Sequence, residues 1–139
     1  MIAALVFTVA LLVTTAYFIM GSIPLLILKH DTPVDARFVR GFFNIYYVAA
    51  IATATATAIS YGFAARPGLA LGAASLALVA WVLRQKIIPV MDSLGAQIQS
   101  DDLAAIPGFR RTHRIAILIN VVQLAAIIWS LSALGRFTA

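Results

Sequence analysis

Two histidines and a set of arginine and amide side chains are the residues of this sequence whose types could support chemistry. His30 stands in Lys29-His30-Asp31, and His113 stands in the basic run 110–114. Imidazole nitrogens bind metals, and guanidinium groups form charge-assisted hydrogen bonds to carboxylates and phosphates. The candidate ligand-binding residues are Arg37, Arg40, Asn44, Arg84, Arg110, Arg114, Asn120 and Gln123.

The two histidines suggest a haem site as one alternative. Imidazoles on two facing helices can hold haem iron, and neighbouring arginines could pair with the propionates. On this interpretation His30 and His113 ligate the iron of haem b. The default interpretation gives each histidine a structural or interfacial role, because the cations around His113 disfavour further positive charge on it.

Three polar residues fall within or beside apolar stretches, where an unpaired polar group is costly: Arg84, Asn120 and Gln123. We expect them to face the interior of a helical bundle and to form one hydrogen-bonded network with Asn44. Two interpretations remain open. The network either stabilises helix packing only, or it lines a pocket for an anionic headgroup, a quinone or a porphyrin carboxylate.

Other catalytic chemistry has little basis in these residues. The chain has no cysteine, which removes thiolate chemistry. It has no glutamate, and no aspartate falls inside an apolar stretch, so a carboxylate proton relay through the membrane has no support. No zinc-protease, nucleophile-elbow or phosphate-loop motif occurs. The sequence therefore favours a protein without enzymatic activity.

Composition excludes a soluble enzyme and a nucleic-acid-binding domain, although the net charge is +5. Hydrophobic residues make up 63% of the 139 residues and charged residues 11%, against roughly 45–50% and 25% in soluble domains. A soluble fold of this size could not bury so much apolar surface. The lipid bilayer is the expected partner.

The elements that position the candidate residues follow from four apolar stretches separated by charge. We expect transmembrane helices at about 3–28, 41–64, 68–91 and 110–134, because a span needs about 20 mainly apolar residues. Pro24 should kink the first helix near its end. The fold class is therefore all-α, an integral membrane antiparallel four-helix bundle that forms a single four-span domain over 1–139.

Charge asymmetry predicts the orientation of the bundle. Eight of the ten cations and all five aspartates fall on the side of loops 29–40 and 92–109, and only Arg66 and Arg136 fall on the other. By the positive-inside rule these two loops are cytoplasmic and both termini are external. The antiparallel arrangement also brings His30 and His113 to about the same membrane depth.

Small residues predict close packing between the second and third helices. Gly68 and Gly72 are four residues apart, and an alternating Ala-Thr run occupies 52–58. Packing within one chain is the first interpretation and a homodimer seam the second. In the third loop, Ser100-Asp101-Asp102 predicts a short helix that ends at Pro107-Gly108. The preceding stretch 91–99 could simply continue the third helix out of the membrane.

Two segments carry a resemblance to known proteins: Arg37-Phe38-Val39-Arg40-Gly41-Phe42-Phe43-Asn44-Ile45-Tyr46-Tyr47, and Phe109-Arg110-Arg111-Thr112-His113-Arg114 through Asn120 to Gln123. The chain resembles small bacterial four-span proteins of unknown function, loosely similar to the anthrone-oxygenase-like and copper-resistance-protein-D-like families. The resemblance implies a compact bundle in the bacterial inner membrane, with polar residues gathered at one end. Some neighbouring families are linked with haem or with oxidation of aromatic substrates.

Three functions from different classes follow. The first is a non-enzymatic bundle that binds a lipid-like or anionic small molecule, or joins a membrane complex or a homo-oligomer, through its basic cytoplasmic end. The second is a haem-dependent or cofactor-free oxidoreductase that uses His30 and His113. The third is an oligomeric pathway for a small solute.

Overall fold

The structure is a computed structural model that describes residues 1–138, with side chains described for 1–132. It contains four helices: α1 (Ile2–Leu25), α2 (Pro33–Phe63), α3 (Pro67–Gln99) and α4 (Ala105–Thr138). Each is long and apolar enough to cross a membrane. The predicted fold class, an all-α bundle of four such helices, is confirmed.

The helix boundaries differ from the prediction because polar helical turns extend beyond the apolar stretches. α2 begins eight residues earlier than expected, at Pro33, and α3 continues to Gln99. The predicted loops 29–40 and 92–109 shrink accordingly to connections over 26–32 and 100–104. The predicted short helix before Pro107 is wrong, since α4 begins at Ala105 and passes through Pro107 in its first turn, where a missing N–H costs nothing.

Local chemistry explains several helix ends. The Thr32 hydroxyl accepts a hydrogen bond from the Asp35 N–H and caps α2, with Pro33 in its first turn. Pro67 likewise stands in the first turn of α3, which has no side-chain cap. α1 ends at Leu25, one residue after Pro24. Capping residues and first-turn prolines therefore set these boundaries.

The helices run up and down in chain order, and α1 closes the ring against α4. The ends of α1 and α3 and the starts of α2 and α4 consequently share one end of the bundle, here called the basic end. Around the ring, large apolar side chains face outward; Phe63 is 90% exposed and Trp129 69%. Such an apolar exterior fits a surrounding of lipid rather than water.

The basic half of the interior is built on stacked aromatic rings between α1 and α2. Phe18 lies between Phe42 and Tyr46, with ring centroids 5.1 and 3.9 Å away and near-parallel planes. Gly21 makes this stack possible, since a Cβ atom there would lie 2.7 Å from Phe42 Cζ. The absent side chain at Gly21 thus lets a ring of α2 lie against the backbone of α1.

Gly68 and Gly72 do not supply the expected contact between α2 and α3. A Cβ atom at either position would meet nothing within 4 Å, and both residues are exposed. The residues of α3 that are buried include Ala73 and Ala80 instead. The expected close packing of α2 on α3 is present and is the most extensive helix–helix contact of the bundle. The part assigned to Gly68 and Gly72 is wrong because these glycines face outward.

Candidate functional site

The two histidines meet inside the basic end. His30 Nε2 lies 3.3 Å from His113 Nδ1, and both side chains are fully buried. His30 belongs to the α1–α2 connection and has a left-handed backbone with φ of 58°, while His113 projects from α4. The expectation that these residues lie at one depth is confirmed, but His30 is buried rather than interfacial.

Aromatic rings and backbone carbonyls surround the histidine pair. The Phe109 ring lies 5.5 Å from His30 and the Phe43 ring 5.2 Å from His113. The Leu28 carbonyl lies beside the His30 ring and the Ser22 carbonyl beside the His113 ring. Even so, His30 Nδ1 and His113 Nε2 make no well-formed hydrogen bond. The pair therefore has one internal hydrogen bond and an unpaired nitrogen at each side.

The electrostatic environment keeps His30 neutral. Burial lowers the pKa of His30, and the nearby Arg110 guanidinium lowers it further. The carboxylates of Asp35 and Asp31 act in the opposite direction and only partly offset this. Because the imidazole at the α1–α2 connection is uncharged, it serves as a hydrogen-bonding group rather than as an additional cation.

This arrangement does not fit a haem held by both histidines. A porphyrin must lie between its two axial ligands, whereas these two imidazoles touch each other edge to face, with an interplanar angle of 81°. Phe43 and Phe109 occupy the adjacent space.

The expected polar network is divided into separate parts. Arg84 Nε donates to Asn44 Oδ1 across 3.1 Å, which joins α3 to α2. Asn120 is fully buried beside Tyr47, but neither its amide atoms nor the tyrosine hydroxyl form a well-aligned hydrogen bond. Gln123 lines a separate small internal cavity. The prediction of one continuous network is therefore wrong.

Arg40 is paired, and the sequence reasoning missed its partner. Its guanidinium donates to both carboxylate oxygens of Asp92 at 2.7 and 3.0 Å. The pair lies in a cavity of about 330 Å³ between α2 and α3 that also includes Arg37 and Gln99. The available signal was that Asp92 is the single acid on α3. Its carboxylate neutralises the charge that Arg40 would otherwise offer a ligand.

A second cleft separates the end of α1 from the start of α4. It encloses about 360 Å³ and is lined by Leu26, Ile106, Pro107, Arg110 and Arg114. Neither arginine has a carboxylate partner, since Arg40–Asp92 is the single ion pair within the described side chains. The cleft therefore combines two unneutralised cations with an apolar floor.

A third feature is an apolar groove on the outer face of α2 that continues into the seam with α1. The part that contains Arg37 is lined by α2 alone. Its part nearest the basic end encloses about 530 Å³ and includes Arg37 and Phe38. A second part of about 290 Å³ continues towards the middle of the bundle, as far as Val13 and Ala49. Both parts share Phe42 and Ile45, so they form one groove with a cation at its mouth.

The predicted site residues are thus distributed over several places rather than one pocket. His30, His113, Arg110 and Arg114 lie at the α1–α4 side of the basic end. Arg37 and Arg40 lie at the α2 side. Comparison of the chain with protein-family models, curated proteins and solved structures finds no match. The chain is a four-span helical membrane protein.

Proposed function

We propose that this protein binds an anionic membrane lipid along the α1–α2 groove, with the headgroup on Arg37. The observation that supports the proposal is the cation at the mouth of a continuous apolar groove. An anionic lipid has the same division into one charged end and a long apolar body. Binding of this kind requires no catalytic group.

Arg37 has the charge that the headgroup needs. It is exposed, and it takes no part in the Arg40–Asp92 ion pair one turn further along α2. A guanidinium at the edge of a bilayer forms charge-assisted, often bidentate hydrogen bonds with phosphate oxygens. Arg37 therefore offers a headgroup contact that Arg40, already neutralised, does not.

The length of the groove suits one lipid chain. Arg37 and Ala49 are twelve residues apart on α2, which corresponds to roughly 18 Å along the helix axis. One leaflet contributes about half of the roughly 30 Å hydrocarbon core. An acyl chain from a headgroup at Arg37 can consequently lie against the groove over the whole depth of its leaflet.

The floor of the groove favours a retained lipid over a freely exchanging one. The stacked rings of Phe42, Phe18 and Tyr46 form a rigid apolar wall there. A preorganised wall lowers the entropy cost of binding, because no side chain has to be immobilised when the lipid arrives. The aromatic stack thus has a role beyond packing α1 on α2.

Native mass spectrometry of the detergent-solubilised protein tests this proposal. Phosphatidylglycerol and phosphatidylcholine with the same acyl chains are added in equal amounts, and the retained one-to-one adducts are compared. We expect a preference for phosphatidylglycerol that falls about tenfold in Arg37→Gln, the loss of one charged contact. Arg111→Gln, an exposed arginine outside the groove, is the charge control.

A second variant pair tests the apolar part of the site. Ile45→Trp fills the groove, whereas Val48→Trp places the same bulk at an exposed position of α2 outside it. We expect Ile45→Trp alone to reduce adducts of both lipids. Equal retention in Arg37→Gln and in Ile45→Trp, relative to their controls, would contradict the proposal.

The proposal includes an orientation with the basic end in the cytoplasm of a bacterial inner membrane. Eight of the ten cations lie towards that end in the chain order. A reporter active only in the cytoplasm should give signal when inserted in the 100–104 connection and none when inserted at 64–66. The reverse pattern would place Arg37 in the outer leaflet and refute the orientation.

A further inference from the structure

The cleft between α1 and α4 has features that the lipid groove does not explain. Arg110 and Arg114 are four residues apart on α4 and therefore about 6 Å apart along one face. Like charges at this spacing destabilise a helix. Arg114 Nε is nevertheless directed back along the helix, 3.4 Å from the Arg110 carbonyl oxygen. Two guanidinium groups thus converge on one cleft without an acid between them.

We propose that this cleft is a binding site for a phosphate-type oxyanion held between Arg110 and Arg114. Two planar guanidinium forks can each donate two hydrogen bonds to a tetrahedral anion, an arrangement that a single Lys or a lone Arg cannot provide. Leu26, Ile106 and Pro107 supply an apolar floor beside the two exposed guanidinium groups. The volume of about 360 Å³ accommodates the anion together with water.

The buried histidine pair lies close enough to report on this site. Arg110 acts electrostatically on His30, together with Asp35 from α2 and Asp31 from the connection, while the Leu28 carbonyl lies beside the ring. An anion on Arg110 reduces the positive field at His30. The imidazole signals of His30 therefore change when the cleft fills, although no histidine touches the anion.

Thermal melting of the protein in phosphatidylcholine nanodiscs tests the proposal, because this lipid brings no net charge. Inorganic phosphate replaces chloride at constant ionic strength. We expect a saturable rise in the melting temperature for the native protein, and an apparent affinity at least tenfold weaker in the variant Arg110→Gln/Arg114→Gln. Arg111→Gln, an adjacent exposed cation that does not line the cleft, should behave as the native protein does.

Two further arms make the result specific. Short-chain phosphatidic acid replaces inorganic phosphate in a parallel titration. Stabilisation by phosphatidic acid identifies a lipid headgroup as the source of the anion, and stabilisation by inorganic phosphate identifies a free ion. Arg37→Gln separates this site from the groove, since it should leave phosphate stabilisation intact. Imidazole ¹⁵N shifts of His30 should follow the same saturation curve.

The contradicting outcomes are equally defined. Stabilisation that is the same with chloride, that survives in Arg110→Gln/Arg114→Gln, or that is lost to the same extent in Arg111→Gln would overturn the cleft as an oxyanion site. A failure of Arg37→Gln to alter lipid retention would leave this inference untouched, because the two sites share no residue.

Discussion

The connections at the two ends of the bundle use the same backbone device for different purposes. Ala65 at the α2–α3 end and His30 at the basic end both have left-handed backbones, with φ of 54° and 58°. Such a conformation costs a non-glycine residue roughly 1–2 kcal/mol. Ala65 is exposed, whereas His30 places a fully buried imidazole against His113. Of the three left-handed residues, only His30 places a buried side chain, since Asp101 at the basic end is exposed like Ala65.

The buried polar groups at the α2–α3 end also differ from those in the middle of the bundle in how fully they are hydrogen-bonded. Away from the basic end, the buried Thr8 hydroxyl lies within hydrogen-bond distance of the Ala4 carbonyl and the Tyr61 hydroxyl. In the middle of the bundle, halfway along α2 and α4, Tyr47 and Asn120 have buried polar atoms without well-formed hydrogen bonds. Buried polar atoms are nearly always paired in native proteins, so the Tyr47–Asn120 contact is the less fully paired of the two regions.

Glycine substitutions at Ala65 and His30, two of the three left-handed residues, should have the largest effects on this comparison. We expect Ala65→Gly to raise the free energy of unfolding by about 1 kcal/mol, because strain is relieved and nothing is lost. His30→Gly relieves the same strain but removes the buried ring and its hydrogen bond, for a net loss of about 2 kcal/mol. Denaturant titration in micelles measures both, and a gain in both variants would show that the histidine pair contributes nothing.

The second prediction concerns pH. Because the pKa of His30 is lowered by burial and then by Arg110, the unfolded chain binds a proton that the folded chain rejects. Stability is therefore complete above the ordinary histidine pKa of about 6.5 and falls as the pH decreases below it, by at most about 1.4 kcal/mol per pH unit.

Melting curves between pH 7.5 and 5.5 check this prediction. The double variant His30→Gln/His113→Gln should lose the dependence, while its absolute stability is also reduced. The α2–α3 end contains neither histidine nor aspartate, so amide exchange there should change only through global unfolding. An unchanged slope in the double variant would assign the pH dependence to other groups.

Much of the arrangement at the basic end could be predicted from the sequence, because it depends only on the order and length of the apolar stretches. Apolar stretches of sufficient length determine the number of spans, and their alternation places His30 beside the start of α4. The seven-residue spacing of His113 and Asn120 likewise predicts a shared stripe on α4, and both side chains are buried there.

What could not be predicted depends on how the helices rotate against one another. Arg84 and Asn44 pair, but Asn120 lies elsewhere, because hydropathy leaves open which neighbour each face meets. Arg40–Asp92 requires the register of two helices whose polar turns extend past the apolar stretch. The outward placement of Gly68 and Gly72 depends on the same rotation.

The smallest expected effect is the most discriminating one. Asn120→Leu removes two buried amide atoms that have no well-formed hydrogen bond, so we expect the free energy of unfolding to remain the same or to rise by up to about 1 kcal/mol. Its matched variant away from the basic end, Tyr61→Phe, removes a hydroxyl within hydrogen-bond distance of Thr8 and should cost about 1 kcal/mol. A gain in the free energy of unfolding for Asn120→Leu together with a loss for Tyr61→Phe would sharpen the distinction between the two regions. A clear loss in Asn120→Leu would instead mean that Asn120 forms a stabilising hydrogen bond with Tyr47 in solution, and the middle of the bundle would then be as fully paired as the α2–α3 end.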